Sequence, residues 1–158
     1  MGAWGPGNFE NDWALDWIAD LRHSKGDALV TSTLAQIIAH GGTKKSSPRL
    51  LDLLRARTSH TNWLKANLCA QGLAAAEVVA ARIGHPAQVL PDSLVEWLRE
   101  YSFSVANENV RISALKAVQI IKTNSELQQL WDEGSGEKWH AVVEELQQRL
   151  GGAKQTGT

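Results

Sequence analysis

Three acidic side chains and one asparagine are the residues of this sequence best suited to chemistry. Asp12 and Asp16 are spaced for one side of a helix, and Asn11 directly precedes them. Glu77 falls on the apolar stripe of an alanine-rich helix, where a carboxylate is desolvated unless it is paired. Together these side chains predict either a divalent-cation site or a general base held near the aromatic side chain of Trp4.

Each of these residues also has a structural explanation, which we favour. Asn11 is suited to the N-cap of a helix, and Asp12 then lies in the first turn, where the helix dipole favours a carboxylate. Glu77 can be a buried carboxylate that accepts hydrogen bonds from a tryptophan, a backbone N–H or an arginine. Arg111 is a possible partner for Glu77 or for the acidic residues of the first helix. Asp12 and Asp16 also supply fewer oxygens than a divalent cation requires.

The element expected to position these residues is a glycine-rich lead segment, residues 2–9. Its glycines alternate with Trp4 and Pro6, which favours a tight turn that buries Trp4, although a loop tryptophan can also line a pocket. We predict that the lead segment packs against the helix of residues 66–81. Asn11, Asp12 or a backbone N–H of the segment would then reach Glu77.

Helical periodicity with capping signals continues along the chain, and no alternating pattern is bounded like a strand. This predicts an all-α fold, a single globular domain of about six to eight helices over residues 1–152, with the lead segment packed on its core. Ser47 and Pro48 predict the start of a short helix, and Thr61 or Asn62 the start of the longest one. Residues 153–158 are expected to form a disordered tail.

Composition argues against several classes of protein. A length of 158 residues favours one domain. A net charge of −1 disfavours a surface that binds nucleic acid or a membrane. A basic concentration lacks interleaved aromatic residues and indicates a solvated face; it comprises Lys44, Lys45, Arg49, Arg55 and Arg57. The single Cys69 and the lack of a signal-like or membrane-spanning apolar run predict a soluble cytoplasmic protein.

The opening MGAWG-x-G-x-FEND-x-ALDW resembles a bacterial family of small proteins described only as domain of unknown function 4259. Members of that family begin with Gly-Ala-Trp-Gly or Gly-Thr-Trp-Gly and carry an Asn-Asp pair at the head of a helix. The resemblance continues weakly through residues 74–81 and 125–131, whereas residues 41–60 depart from it as an insertion. It implies a fold rather than a function. The matching residues are Gly2, Ala3, Trp4, Gly5, Gly7, Phe9, Asn11, Asp12 and Asp16.

Two functions remain open from the sequence. No phosphate-binding glycine loop, HExxH, CxxC or GxSxG motif is present, which favours a non-enzymatic module that binds another protein without a cofactor. Such a module would be of the regulatory, antitoxin or immunity type. The alternative is a metal-binding or hydrolase-like domain with a carboxylate site at Asp12, Asp16 and Glu77.

Overall fold

A computed structural model describes residues 2–24, 26–41, 64–101 and 107–152. Within these ranges the chain forms seven α-helices and no β-strand, and an isolated bridge pairs Ala3 with Asn11. This confirms the prediction of an all-α domain. The helices are α1 (Asp12–His23), α2 (Ala28–Gly41), α3 (Ala66–Arg82), α4 (Asp92–Glu100), α5 (Glu108–Thr123), α6 (Glu126–Asp132) and α7 (Gly136–Leu150).

Several sequence predictions lie outside the described residues. They are the short helix that starts near Ser47, the start of the longest helix at Thr61 or Asn62, the basic concentration of residues 44–57 and the tail of residues 153–158. The extent of the domain over residues 1–152 also stays a prediction. Within the described ranges, no helix combines the length and the apolarity that crossing a bilayer requires.

Helix α3 is the centre of the fold. It packs against α1, α2, α5, α6 and α7, and every residue from Gly72 to Ala80 is buried. A helix that is apolar on all sides is stable only when neighbours surround it. Its alanines let those neighbours approach closely, so the small side chains of α3 determine how tightly the domain packs.

Neighbouring helices approach α3 closely at Gly72. A Cβ atom there would lie 2.9 Å from Ile37 Cγ1 of α2 and 3.0 Å from Ile121 Cδ1 of α5. These separations are shorter than ordinary carbon–carbon contacts. Gly72 is therefore required by the packing of α2 and α5, although a glycine inside a helix lowers its intrinsic stability.

The amino end of α3 is capped by a residue distant in sequence. The Ala66 N–H donates to Glu126 Oε2 at 2.8 Å, while the Glu126 N–H donates to the carbonyl of Leu64 at 3.0 Å. Ser125 in turn caps α6, because its Oγ accepts the Gln128 N–H at 3.0 Å. The first turns of α3 and α6 are thus held together by reciprocal hydrogen bonds.

Polar contacts also join the outer helices to their neighbours. Trp17 Nε1 of α1 donates to Thr33 Oγ1 of α2 at 3.0 Å. At the carboxyl end of α3, Arg82 Nη1 donates to the carbonyl of Leu98 at 3.0 Å and the guanidinium lies 5.5 Å from the centre of the Trp97 ring. Arg82 therefore holds α4 through both hydrogen bonding and a cation–π contact.

Substitution of Gly72 by valine is expected to lower the free energy of unfolding by about 1–3 kcal/mol, because two isoleucines must move to admit the side chain. Urea denaturation measures this change. Ala141→Val, on the exposed side of α7, is the control because it introduces the same branched side chain into a helix where nothing must move. Helix propensity alone would make Gly72→Val no less stable than wild type, so an unchanged or raised free energy of unfolding in this variant would contradict the packing role of Gly72.

Candidate functional site

The lead segment forms a tight turn in front of α1. The Trp4 N–H donates to the Glu10 carbonyl at 3.0 Å, and the Glu10 N–H donates to the Gly7 carbonyl at 3.0 Å. The Glu10 carboxylate folds back over Gly5 and Gly7 and accepts the Gly7 N–H at 2.7 Å. A Cβ at position 7 would lie 2.8 Å from Glu10 Oε2, so a glycine there leaves room for the carboxylate.

Asn11 joins this turn to α1. Its Oδ1 accepts the Ala14 N–H at 2.8 Å, which confirms the predicted N-cap, and its Nδ2 donates to the Asn8 carbonyl at 3.4 Å. Asn11 is buried. Both ends of its side-chain amide are therefore used to shape the backbone rather than to bind a ligand.

Asn8 connects the lead segment to α3. Its Nδ2 donates to Glu77 Oε1 at 2.6 Å, and the two residues are 6% and 2% exposed. The expectation that the lead segment reaches Glu77 is thus confirmed, but the residue that makes the contact is Asn8, where Asn11, Asp12 or a backbone N–H was predicted. Asn8 Oδ1 is buried and has no hydrogen-bond partner among the described residues.

Arg149 of α7 forms a bidentate ion pair with Glu77. Its Nη1 lies 2.8 Å from Glu77 Oε2 and its Nη2 lies 2.9 Å from Glu77 Oε1. Arg149 Nε also donates to Glu145 Oε1 at 2.7 Å, and Nη1 to the His85 carbonyl at 3.2 Å. We refer to Asn8, Glu77, Glu145 and Arg149 as the Glu77 cluster.

The charge of Arg149 is fixed by these partners. Burial alone would lower the pKa of Arg149, but the hydrogen bonds to Glu77 and Glu145 outweigh it and raise the pKa above its ordinary value. Arg149 therefore remains a cation inside the protein. The Glu77 cluster is a buried ion pair with most of its hydrogen-bonding groups satisfied, which is how proteins accommodate internal charge.

Arg111 lies elsewhere, so its predicted pairing with Glu77 is wrong. It belongs to the first turn of α5, where its Nε donates to Glu108 Oε2 at 2.9 Å. Its Nη1 donates to the Leu150 carbonyl at 2.9 Å, at the carboxyl end of α7. Arg111 supports the Glu77 cluster only indirectly, because it holds the turn of α7 that carries Arg149.

The structure does not bring the three candidate carboxylates together. Asp16 is exposed and Asp12 is half-buried, whereas both oxygens of Glu77 already accept hydrogen bonds. In the described parts of the chain, no group of three His, Cys, Asp or Glu residues is placed to hold a metal ion. This geometry does not support a metal site built from Asp12, Asp16 and Glu77.

Trp4 is exposed rather than buried. Sixty per cent of its surface is accessible, because Asn8 occupies the inward position of the lead segment that Trp4 was predicted to take. A cavity of about 10 Å³ beneath the segment is lined by Trp13, Trp131 and Trp139, without Trp4. That volume is roughly the space of one water molecule, so it cannot admit an organic substrate.

Cys69 of α3 has the environment of a structural thiol. It is fully buried, and its Sγ lies 3.7 Å from the Leu64 carbonyl. Burial raises the pKa of the Cys69 thiol to about 12. A nucleophilic cysteine requires the opposite shift.

Sequence reasoning missed three members of the Glu77 cluster, namely Asn8, Glu145 and Arg149. Arg149 is three residues after buried Leu146 and one before buried Leu150, so its position beside the apolar face of α7 was a usable signal of burial. Asn8 gave no comparable signal, because the lead segment has no periodicity from which an inward direction can be inferred.

Comparison with known families identifies the chain. The model of the family described as Domain of unknown function (DUF4259) matches residues 2–142. The protein therefore belongs to this family, as the opening motif indicated. No curated protein and no solved structure gives a significant match to the chain.

Replacing Glu77 by glutamine is expected to lower the free energy of unfolding by about 3–5 kcal/mol, because it leaves Arg149 buried without its main counter-charge. For a domain of this size the melting temperature should fall by roughly 6–20 °C. The control is Glu144→Gln, which removes an exposed ion pair with Lys122 and should cost less than about 1 kcal/mol. An unchanged melting temperature in Glu77→Gln would refute the structural role of the pair.

Cys69 is expected to make the folded protein less stable at high pH, because burial keeps its thiol protonated in the folded state. Between the ordinary pKa of 9.0 and the raised value of about 12, the unfolded chain loses the thiol proton that the folded chain retains. Stability is therefore unaffected by this group below pH 9 and falls as pH rises above it. Denaturation of wild type and Cys69→Ala between neutral pH and pH 10.5 measures the difference. The burial of a neutral thiol would be contradicted if the free energy of unfolding of wild type fell no more steeply with pH than that of Cys69→Ala.

Proposed function

We propose that this protein is a non-enzymatic module that acts by binding another protein, as a regulatory, antitoxin or immunity factor in the bacterial cytoplasm. The proposal rests on the exposure of the Trp4 side chain. A large aromatic side chain stands 60% exposed on a turn whose backbone is hydrogen-bonded and whose base is anchored to the core through Asn8.

An exposed tryptophan on an anchored turn is suited to recognition. Tryptophan is enriched among the few residues that dominate binding energy at protein interfaces, because one ring buries a large apolar area. Because the turn is already ordered, binding would cost less conformational entropy than it would for a flexible loop. Trp4 thus has both the chemistry and the preorganisation of an interface anchor.

The polar residues near this turn support a binding role more than a catalytic one. Glu77 and Arg149 bind each other, and Asn11 is used as a helix cap. Both oxygens of Glu77 accept hydrogen bonds from Asn8 and Arg149, so the carboxylate serves the fold rather than acting as a free general base. The proposal accordingly needs neither a metal nor a cofactor.

The net charge and the single cysteine bear on the partner and on the compartment. A net charge of −1 favours a protein partner over nucleic acid or an anionic membrane surface. Cys69 is a free, buried thiol, which is compatible with the reducing conditions of the cytoplasm.

Trp4→Ala is expected to weaken partner binding at least about tenfold, since truncation of an interface tryptophan commonly costs 2 kcal/mol or more. Wild-type and variant proteins are returned to the source cell with an affinity tag, and the amount of co-purified partner is measured per mole of protein. Val89→Ala is the control, because Val89 is 81% exposed in the connection between α3 and α4. Its yield of partner should equal that of wild type.

The melting temperature of Trp4→Ala should match that of wild type, because the removed ring is mostly in solvent. Absence of a stoichiometric partner for the wild-type protein would overturn the proposed function. Equal recovery of a partner by wild type and Trp4→Ala would overturn the role of Trp4 as its anchor.

A further inference from the structure

The outward side of α1 carries an acidic row that the fold does not use. Asp12, Asp16 and Asp20 follow one another at helical spacing. None of them forms an ion pair with another described residue. By contrast, Arg22 at the end of the same helix pairs with Glu96 at 3.2 Å.

This acidic row is unfavourable for the helix that carries it. Like charges four residues apart repel each other along a helix. Asp20 also lies in the last turn of α1, where the helix dipole disfavours a carboxylate, and only Asp12 in the first turn is favourably placed. Asp16 and Asp20 therefore add negative charge to the surface of α1 without stabilising the helix.

Exposed apolar side chains accompany the acidic row. Leu15 is 38% exposed, and Ala19, one turn further along α1, is also exposed. The hydrogen bond from the Trp4 N–H to the Glu10 carbonyl and the bridge between Ala3 and Asn11 place the backbone of Trp4 beside the two residues that directly precede α1. We call Trp4, Leu15, Ala19 and the three aspartates the α1 face.

We propose, resting on the proposed function, that the α1 face binds a basic amphipathic helix of the partner protein. A helix that lies along α1 repeats its side chains at the same interval, so lysines or arginines four residues apart can each meet one aspartate. An apolar residue beside those cations would then cover Trp4 and Leu15. Charge complementarity and equal spacing select this partner over an acidic or an extended segment.

The probe is a synthetic helical peptide with lysines at every fourth position and leucines beside them, compared with a peptide of the same composition in scrambled order. Binding is measured by fluorescence anisotropy of the labelled peptide at low salt. Wild type is expected to bind the ordered peptide at least about tenfold more tightly than the scrambled one, and the affinity should fall as ionic strength rises.

The double variant Asp16→Lys/Asp20→Lys tests the acidic row directly and should bind the ordered peptide at least about tenfold more weakly than wild type. The matched control is Glu133→Lys/Glu137→Lys, which reverses two exposed carboxylates, one directly after α6 and one in the first turn of α7. The control should bind like wild type. Circular dichroism verifies that both double variants are folded.

Two results would overturn the inference. One is equal binding of the ordered and scrambled peptides, including no binding of either. The other is an equal loss of binding in the two double variants, which would indicate a general charge effect. Neither result bears on the proposed function, which stands or falls with the recovery of a stoichiometric partner by the wild-type protein.

Discussion

The fold depends on the buried ion pair between the Glu77 carboxylate and the Arg149 guanidinium. Glu77 and Arg149 are 2% and 5% exposed, and neither charge can remain in that position without the other. Their pairing requires that α3 and α7 lie side by side. Asn8 adds the lead segment to the same arrangement through Glu77 Oε1, and the His85 carbonyl adds the turn that follows α3.

This constraint explains the contrast between the two sides of the amino-terminal region. The inward residues of that region, Asn8 and Asn11, are occupied in holding the turn and capping α1. The backbone of the outward residue Trp4 is held by the turn, while its ring is mostly exposed. In the function that we propose, the hydrogen-bonded turn supplies the rigid base of a recognition element and Trp4 supplies its exposed aromatic side chain.

Much of the architecture could be predicted because helices have a fixed period. The periodic apolar residues and the cap at Asn11 predicted an all-α domain, and the position of Glu77 among alanines predicted its burial. Periodicity gives the face on which a residue lies but not the residue that it meets across the core. For that reason Arg111 was an equally reasonable partner for Glu77 until the structure showed Arg149 in that place.

The lead segment shows the complementary limit of sequence reasoning. Its glycines and Pro6 predicted a turn correctly, but without a repeating pattern the hydrophobicity of Trp4 was the only guide to direction. The structure turns a polar residue inward because Glu77 requires a hydrogen-bond donor, and the tryptophan outward. A hydrogen bond to the buried Glu77 charge was favoured over burial of the large aromatic side chain of Trp4.

The separation of the two charges along the chain bears on the order in which the protein can acquire its structure during synthesis. Glu77 and Arg149 are 72 positions apart, and a ribosome adds roughly 5–20 residues per second. For several seconds the nascent chain therefore contains α3 and its acidic residue but not the cation that neutralises it. The central helix cannot be enclosed at low cost during that interval, so completion of the core must wait until α7 has been made.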